Sequence, residues 1–363
     1  MRALIFGRIF CASILGASIL CVGASQAKAD SYSVTEIAGF ASVGYAINPS
    51  GEVAGSLFYN TRPITFHTFF YSNGTTTDLG TLGARSSVPL ALNGTGQMAG
   101  YLTIAGVGYH AFVYNNGTTT DLGTFGGTDS FATGINSSGQ VTGYAETTSG
   151  SFGFIYNNGV MTKIPTPVGG SSAGNAINDA GQIAGDIAIN NVGHGFIYSN
   201  GILMQLGTLG GTSSGADAIN ALGQVAGSSF LSNGVNHAYL YSNGTMTDLG
   251  SLGGNSYAFA LNDLGEVVGE SDAASVDGDA FIYRDGMMTD LNPLVASSGV
   301  YLWRALGIND AGQIVANGFD SSGVSGTFLL TPLPLPSSVW AGLALLGLLG
   351  INQLRLWRAK AKA

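Results

Sequence analysis

All four histidines of the chain, His67, His110, His194 and His237, occupy one position of a recurring pattern, just ahead of short aromatic alternations such as His110-Ala-Phe112-Val-Tyr114. Imidazole is a common metal ligand, so a ring of them is one reading of that arrangement. Glu270, Asp272, Asp277 and Asp279 crowd a single stretch, and carboxylate oxygens are what calcium takes. Gly170-Ser-Ser172-Ala-Gly174 and Gly211-Thr-Ser213-Ser-Gly215 both have the G-x-S-x-G form of a serine nucleophile's turn. Gly106-Val-Gly108-Tyr-His-Ala111 mimics a dinucleotide-binding loop. What any of these groups can do depends on the elements that hold it.

Those elements repeat. The motif N-x-x-G-[QE]-[VIM] begins at Asn48, Asn93, Asn136, Asn178, Asn220, Asn262 and Asn309, with spacings of 45, 43, 42, 42, 42 and 47. The first six copies are followed by the aromatic alternation, an Asn-Gly pair and a Thr-x-Asp-Leu-Gly run, with substitutions in some, and the seventh by the remnant Gly326-Thr-Phe328. One period therefore predicts four strands, named a to d. Strand a ends at the Asn, the N-x-x-G loop is a type I turn closed by a glycine at positive φ, and Gln-Val-x-Gly is strand b. The aromatic run is strand c, and Asn-Gly, as at Asn73-Gly74, is a strong hairpin signal leading to strand d. Four short strands per roughly 42 residues is the cadence of a β-propeller blade.

The last unit, from 306, runs into proline without a strand d, while 34–39 aligns with a strand d that has no unit of its own. The expected fold is all-β, a seven-bladed propeller over 30–331 closed by the amino-terminal strand, which removes exposed sheet edges.

This frame reinterprets the chemistry. Strand c lies third from the propeller axis, too far for equivalent histidines to share a metal. With Asn73-Gly74 as the turn, Phe69 pairs with Asp78 and His67 is its diagonal neighbour on the same face. His67 with Asp78, His110 with Asp121, and His237 with Asp248 are then structural pairs. Phe152 and Lys163 replace both partners in another blade. The G-x-S-x-G segments fall in d-to-a loops with no helix following, and the glycine-rich loop runs into a strand, so neither is assigned chemistry. Among metals only calcium is entertained, at Glu270, Asp272, Asp277 and Asp279, and no cofactor is expected.

The ends are of another kind. Residues 1–29 read as a signal peptide: Arg2 and Arg8, an apolar run, and Ala27-Lys28-Ala29 as cleavage site. Both cysteines, Cys11 and Cys21, lie within it, leaving no thiol beyond. Residues 332–363 hold Pro332, Pro334 and Pro336, an apolar stretch over 339–351, and then Arg355, Arg358, Lys360 and Lys362. That stretch is shorter than the ~20 residues a full span takes, as for a temporary anchor whose basic end stays cytoplasmic.

The middle of the chain, about 31–330, resembles the HAF-repeat family of bacterial extracellular proteins, on His110-Ala111-Phe112 and the copy number. The resemblance implies fold and location, with no established activity. The tail resembles the PEP-CTERM sorting signal of Gram-negative bacteria, with Pro334-Leu335-Pro336 in the motif position and Leu335 where Glu is commonest. This implies handling by an exosortase-type sorting enzyme.

Residues 30–336 contain all 21 acidic residues and only Arg62, Arg85, Lys163, Arg284 and Arg304 as bases, a net of −16. Such a surface excludes nucleic acid as a partner. The a-to-b and c-to-d turns share one face of the ring, and the b-to-c and d-to-a loops share the other, where sequence varies and recognition is expected. Tyr101, Tyr109, Tyr144, Asp186, Asn190 and Asn191 are the candidate ligand contacts. The expectation is a non-catalytic surface or matrix protein, not an enzyme, that binds extracellular polysaccharide or a partner protein and touches membrane only through its tail. The alternatives are a polysaccharide hydrolase or lyase and a purely structural envelope protein.

Overall fold

Seven four-stranded antiparallel sheets follow one another along the chain, and in six of them the strands lie in sequence order. The computed structural model describes residues 31–39, 41–167, 169–272 and 278–334. In the seventh sheet the order is Tyr32–Ala38, Ser325–Pro332, Ile314–Phe319, Tyr301–Ile308, so the first described strand is the outermost strand of the last blade. The unit spanning 34–331 is therefore a seven-bladed β-propeller with its ring closed by strands from opposite ends of the chain. The signal segment with Ala29, and the tail from Leu335 and Pro336 onward, lie outside the described residues, whereas Pro334 is described and exposed.

The asparagine of the repeat explains the turn. Asn93 Oδ1 accepts from the N–H groups of Thr95 and Gln97 at 3.1 and 2.9 Å, and Gly96 adopts φ +80° to close the turn. Its Nδ2 donates to Gln97 Oε1 at 2.8 Å and to the carbonyl of Asn136 in the next blade at 2.9 Å. All seven asparagines make that bond to the next blade, at 2.9–3.1 Å, giving an unbroken circuit around the ring. Both acceptor and donors are required, so Asp or Ser cannot replace the side chain, and the Gln or Glu four residues on takes the second donor.

Strand a carries a β-bulge in every blade, each time three residues before the asparagine, as between Ala132 and Gly134. The bulge brings a strand-a carbonyl up against strand b, where the repeat places glycine: a Cβ at Gly100 would collide with the Val88 carbonyl, and one at Gly143 with that of Phe131. The same space admits the fully buried strand-c aromatic, Phe112 in blade 2 and Phe154 in blade 3, with Tyr239 in blade 5. Each such burial contributes about 1.5–3 kcal/mol.

A serine at the start of strand a joins the blades. Ser130 Oγ accepts from Ala111 N–H at 2.8 Å and donates to the Gly123 carbonyl at 2.6 Å, tying blade 3 to strands c and d of blade 2. Ser172, inside one of the G-x-S-x-G segments, is buried and accepts from Gly153 N–H at 3.0 Å. Its oxygen is engaged in packing blades together.

Candidate functional site

Three of the four histidines face carboxylates of their own hairpins, while the hairpin of His194 carries Gln205 at the corresponding position. His110 Nδ1 lies 2.8 Å from Asp121 and His237 Nδ1 2.8 Å from Asp248, while His67 lies 3.1 Å from Asp78, whose carboxylate also accepts from Tyr59 Oη at 2.8 Å. Desolvation acts to raise the Asp78 pKa, but hydrogen bonds from Gly80 N–H, His67 and Tyr59 together hold it below the usual value. In blade 3 the Lys163 ammonium sits 2.8 Å from the centre of the Phe152 ring, a cation–π pair in place of the His–Asp contact.

The acidic stretch is dispersed among separate partners. Glu270 accepts from Arg304 Nε at 2.6 Å, Asp272 from Asn255 Nδ2 at 2.9 Å, and Asp279 from Tyr301 Oη at 3.0 Å and Asn292 Nδ2 at 3.1 Å. Asp277 lies outside the described residues. Among the described residues no three His, Cys, Asp or Glu side chains converge as a metal-binding group.

The tyrosines, by contrast, meet. The stretches expected as open b-to-c loops are mostly strand: Met98–Ile104 and Gly108–Asn115 form one hairpin, Val141–Thr147 and Gly150–Asn157 another. Strand alternation therefore points Tyr101, Tyr109 and Tyr144 from ladders instead of mobile loops, and a fourth ring, Phe131 of strand a, links them. Tyr101 is edge-on to Tyr109 and Phe131 at 5.6 and 5.1 Å, Tyr109 is tilted against Phe131 at 5.4 Å, and Phe131 stacks on Tyr144 at 4.9 Å with 27° between planes. The cluster bridges blades 2 and 3 near the b-to-c end, and Tyr109 is its most exposed member at 41%. Phe131 carries no repeat signature; only its pairing with Tyr144 across the a–b ladder would have exposed it.

Two of the phenols are held in the protonated form. Burial, then Tyr45, Tyr109 and Tyr144, pushes Tyr101 up to about 12. Burial, then Asp129 and Glu146, raises Tyr144. On the far side of Tyr144 a groove of about 240 Å³ continues past Ser151, Ser171 and Asp186. Asp186 itself sits within strand b instead of at a loop tip, because its carboxylate is claimed by Ala216 N–H and Asn175 Nδ2, both at 2.9 Å. Asn190 and Asn191 form the hairpin tip at φ +52° and +65°, so their types answer to backbone geometry.

The unpaired bulge residues line a central channel. Thr133, Asn175 and Asp217, of three consecutive blades, make one arc polar; Phe259, Leu306, Tyr45 and Leu90 make the opposite arc largely apolar.

Fold and geometry together define a seven-bladed β-propeller with an aromatic cluster at one inter-blade groove. No family model matches the chain, and no curated protein matches it in sequence. Among solved structures it is similar to the β-propeller domain of the Trilobed protease from Pyrococcus furiosus, at 11% identity and a TM-score of 0.56, covering 85% of this chain and 96% of that one. That domain is described as having an open velcro topology, whereas here strands from the two ends share a sheet. It is also similar to the Pyrococcus horikoshii acylaminoacyl peptidase, at 9% identity and a TM-score of 0.53, covering 84% of this chain and 54% of that one. These likenesses are of fold. They correct the expectation that the chain is not an enzyme: propellers of this build occur in peptidases, so repeat architecture cannot carry that exclusion.

Proposed function

We propose that this protein is exported to the cell surface or extracellular matrix and binds a neutral polysaccharide at the Tyr101, Tyr109, Phe131 and Tyr144 cluster. The continuous contact of those four rings carries the reading. Aromatic faces cover the apolar C–H faces of a sugar ring while phenol hydroxyls and flanking polar groups meet its hydroxyls. Asp129, which accepts from Tyr109 N–H at 2.9 Å, and Glu146, which accepts from Thr128 Oγ1 at 3.1 Å, stand beside the rings as acceptors. A net charge of −16 over 30–336 disfavours polyanions and leaves uncharged glycans as the matching class. The signal-like 1–29 and the PEP-CTERM-like tail 332–363, a substrate for an exosortase-type enzyme on this reading, support export.

Affinity electrophoresis through gels containing neutral polysaccharides, alongside a glycan array, tests the proposal. The parent protein is retarded by at least one glycan, and Tyr109→Ala weakens that by about tenfold or more, the scale of one aromatic anchor. Absence of any glycan binding, or full binding by Tyr109→Ala, overturns it.

A further inference from the structure

The channel has properties the aromatic site does not use. Its cavity of about 220 Å³ at the bulge level shares Ile47, Ile177 and Ile308 with a second cavity of about 270 Å³ at the a-to-b end, so the two are adjacent. Three carboxylates, Asp179, Asp263 and Asp310, line that end. Inside, Asp217 is the lone carboxylate of the bulge-level lining, and none of the described residues donates a hydrogen bond to it. Its neighbour Asp186 is different, with both oxygens satisfied by Ala216 N–H and Asn175 Nδ2. The polar neighbours of Asp217 are likewise spent: Thr133 Oγ1 donates to the Gly174 carbonyl at 2.7 Å and Asn175 Nδ2 to the Ala216 carbonyl at 2.9 Å. Asp217 is half-buried in the channel wall, so its carboxylate faces the lumen with no donor among the described residues.

We propose that the channel is a second ligand site, which takes one primary ammonium or guanidinium group carried on an aliphatic stem. The head donates to Asp217, and the stem lies along the opposing arc formed by Phe259 and Leu306. Calcium or magnesium is a poorer match, since each takes about six or more oxygen ligands and here one free carboxylate faces apolar side chains. An ammonium needs few acceptors and brings its own apolar surface. The mouth carboxylates raise the local concentration of cations and repel anions.

The titratable groups around Asp217 are Asp186, on strand b of the preceding blade, and Tyr239, which feels both carboxylates. Burial, with Asp186 second, pushes Asp217 up to about 7. A cationic ligand requires the ionised carboxylate, so its affinity rises with pH across that value.

The purified protein is titrated calorimetrically with n-butylammonium chloride, with n-butanol as the neutral isostere and sodium chloride as the ionic-strength control. Saturation-transfer NMR of the butyl protons gives an independent readout. The expected result is saturable binding of n-butylammonium at least about tenfold tighter than n-butanol, the scale of one charge-assisted hydrogen bond. Asp217→Asn, which removes an uncompensated charge and so should fold, loses that preference, while Tyr109→Ala, in the aromatic cluster, keeps it. Equal binding of both probes, an unchanged preference in Asp217→Asn, or no saturable binding overturns the proposal without touching the glycan reading.

Discussion

Asn309 donates its Nδ2 to the carbonyl oxygen of Asn48 at 3.1 Å, across 261 residues of sequence, and that bond closes the circuit of seven asparagines. A second reciprocal contact reinforces the seam, with Gly44 N–H to Asn317 Oδ1 at 3.0 Å and Asn317 Nδ2 back to the Gly44 carbonyl at 3.1 Å. Replacing Asn309 by Ala leaves the Gln313 N–H and amide oxygen without this partner and reduces the Asn48 carbonyl to its bond from Gly51 N–H at 3.0 Å. With each orphaned buried group costing about 1–3 kcal/mol, a loss on the order of 3 kcal/mol is expected in urea unfolding. Unchanged stability would show that the seam bond is not needed for closure.

Glycine at the strand-b position is a packing requirement, whereas the turn glycine Gly94 has open space around it. Gly100→Ala puts a methyl into the Val88 carbonyl, and the backbone must shift, at about 1–3 kcal/mol for such overpacking. Gly94→Ala meets nothing within 4 Å. The contrast should appear as a clear drop in melting temperature for the first variant and little change for the second.

The Phe152–Lys163 pair tests whether the hairpin face is modular. Phe152→His alone sets an imidazole beside Lys163, and Lys163→Asp alone removes the cation from the ring. The double variant recreates the geometry of His110 and Asp121, which meet at 2.8 Å. A double-mutant cycle should give a favourable coupling of about 0.5–1 kcal/mol, modest because the pair is partly exposed. A coupling of zero would mean that blade 3 cannot adopt the pairing of its neighbours.

Asp217 imposes a pH dependence of known sign. Its folded pKa of about 7 stands above the unfolded value of 3.8, so between them the folded chain holds the extra proton. The stability it contributes is complete below the lower value and lost as pH rises through about 7. Thermal melts from about pH 4 to 8 should show the parent losing stability relative to Asp217→Asn as pH climbs. Parallel curves would place the carboxyl in a solvated setting.

Local chemistry made most of the architecture legible. The N-x-x-G turn, the Asn-Gly hairpin and the period-two alternation act within a dozen residues, so they set the strand count, the register and the diagonal meeting of His67 with Asp78. The amino-terminal strand's place in the last blade could be read because 34–37 duplicates a strand that the end of the chain lacks. Even the glycine opposite the bulge was visible as a letter, though not its cause.

Only the tertiary structure decided what the blades make together. Phe131 joins Tyr101 because two blades abut, Ser130 bridges strands c and d of the blade before it, and Asn93 reaches the carbonyl of Asn136 in the next blade. Thr133, Asn175 and Asp217 face Phe259 and Leu306 because the bulge in strand a frees one residue per blade and ring closure turns those residues toward a common axis. Their types vary from repeat to repeat, so no periodicity marks them. A pattern along one chain records what each strand needs from its own hairpin, while a site shared by several blades exists only once the ring has brought distant strands together.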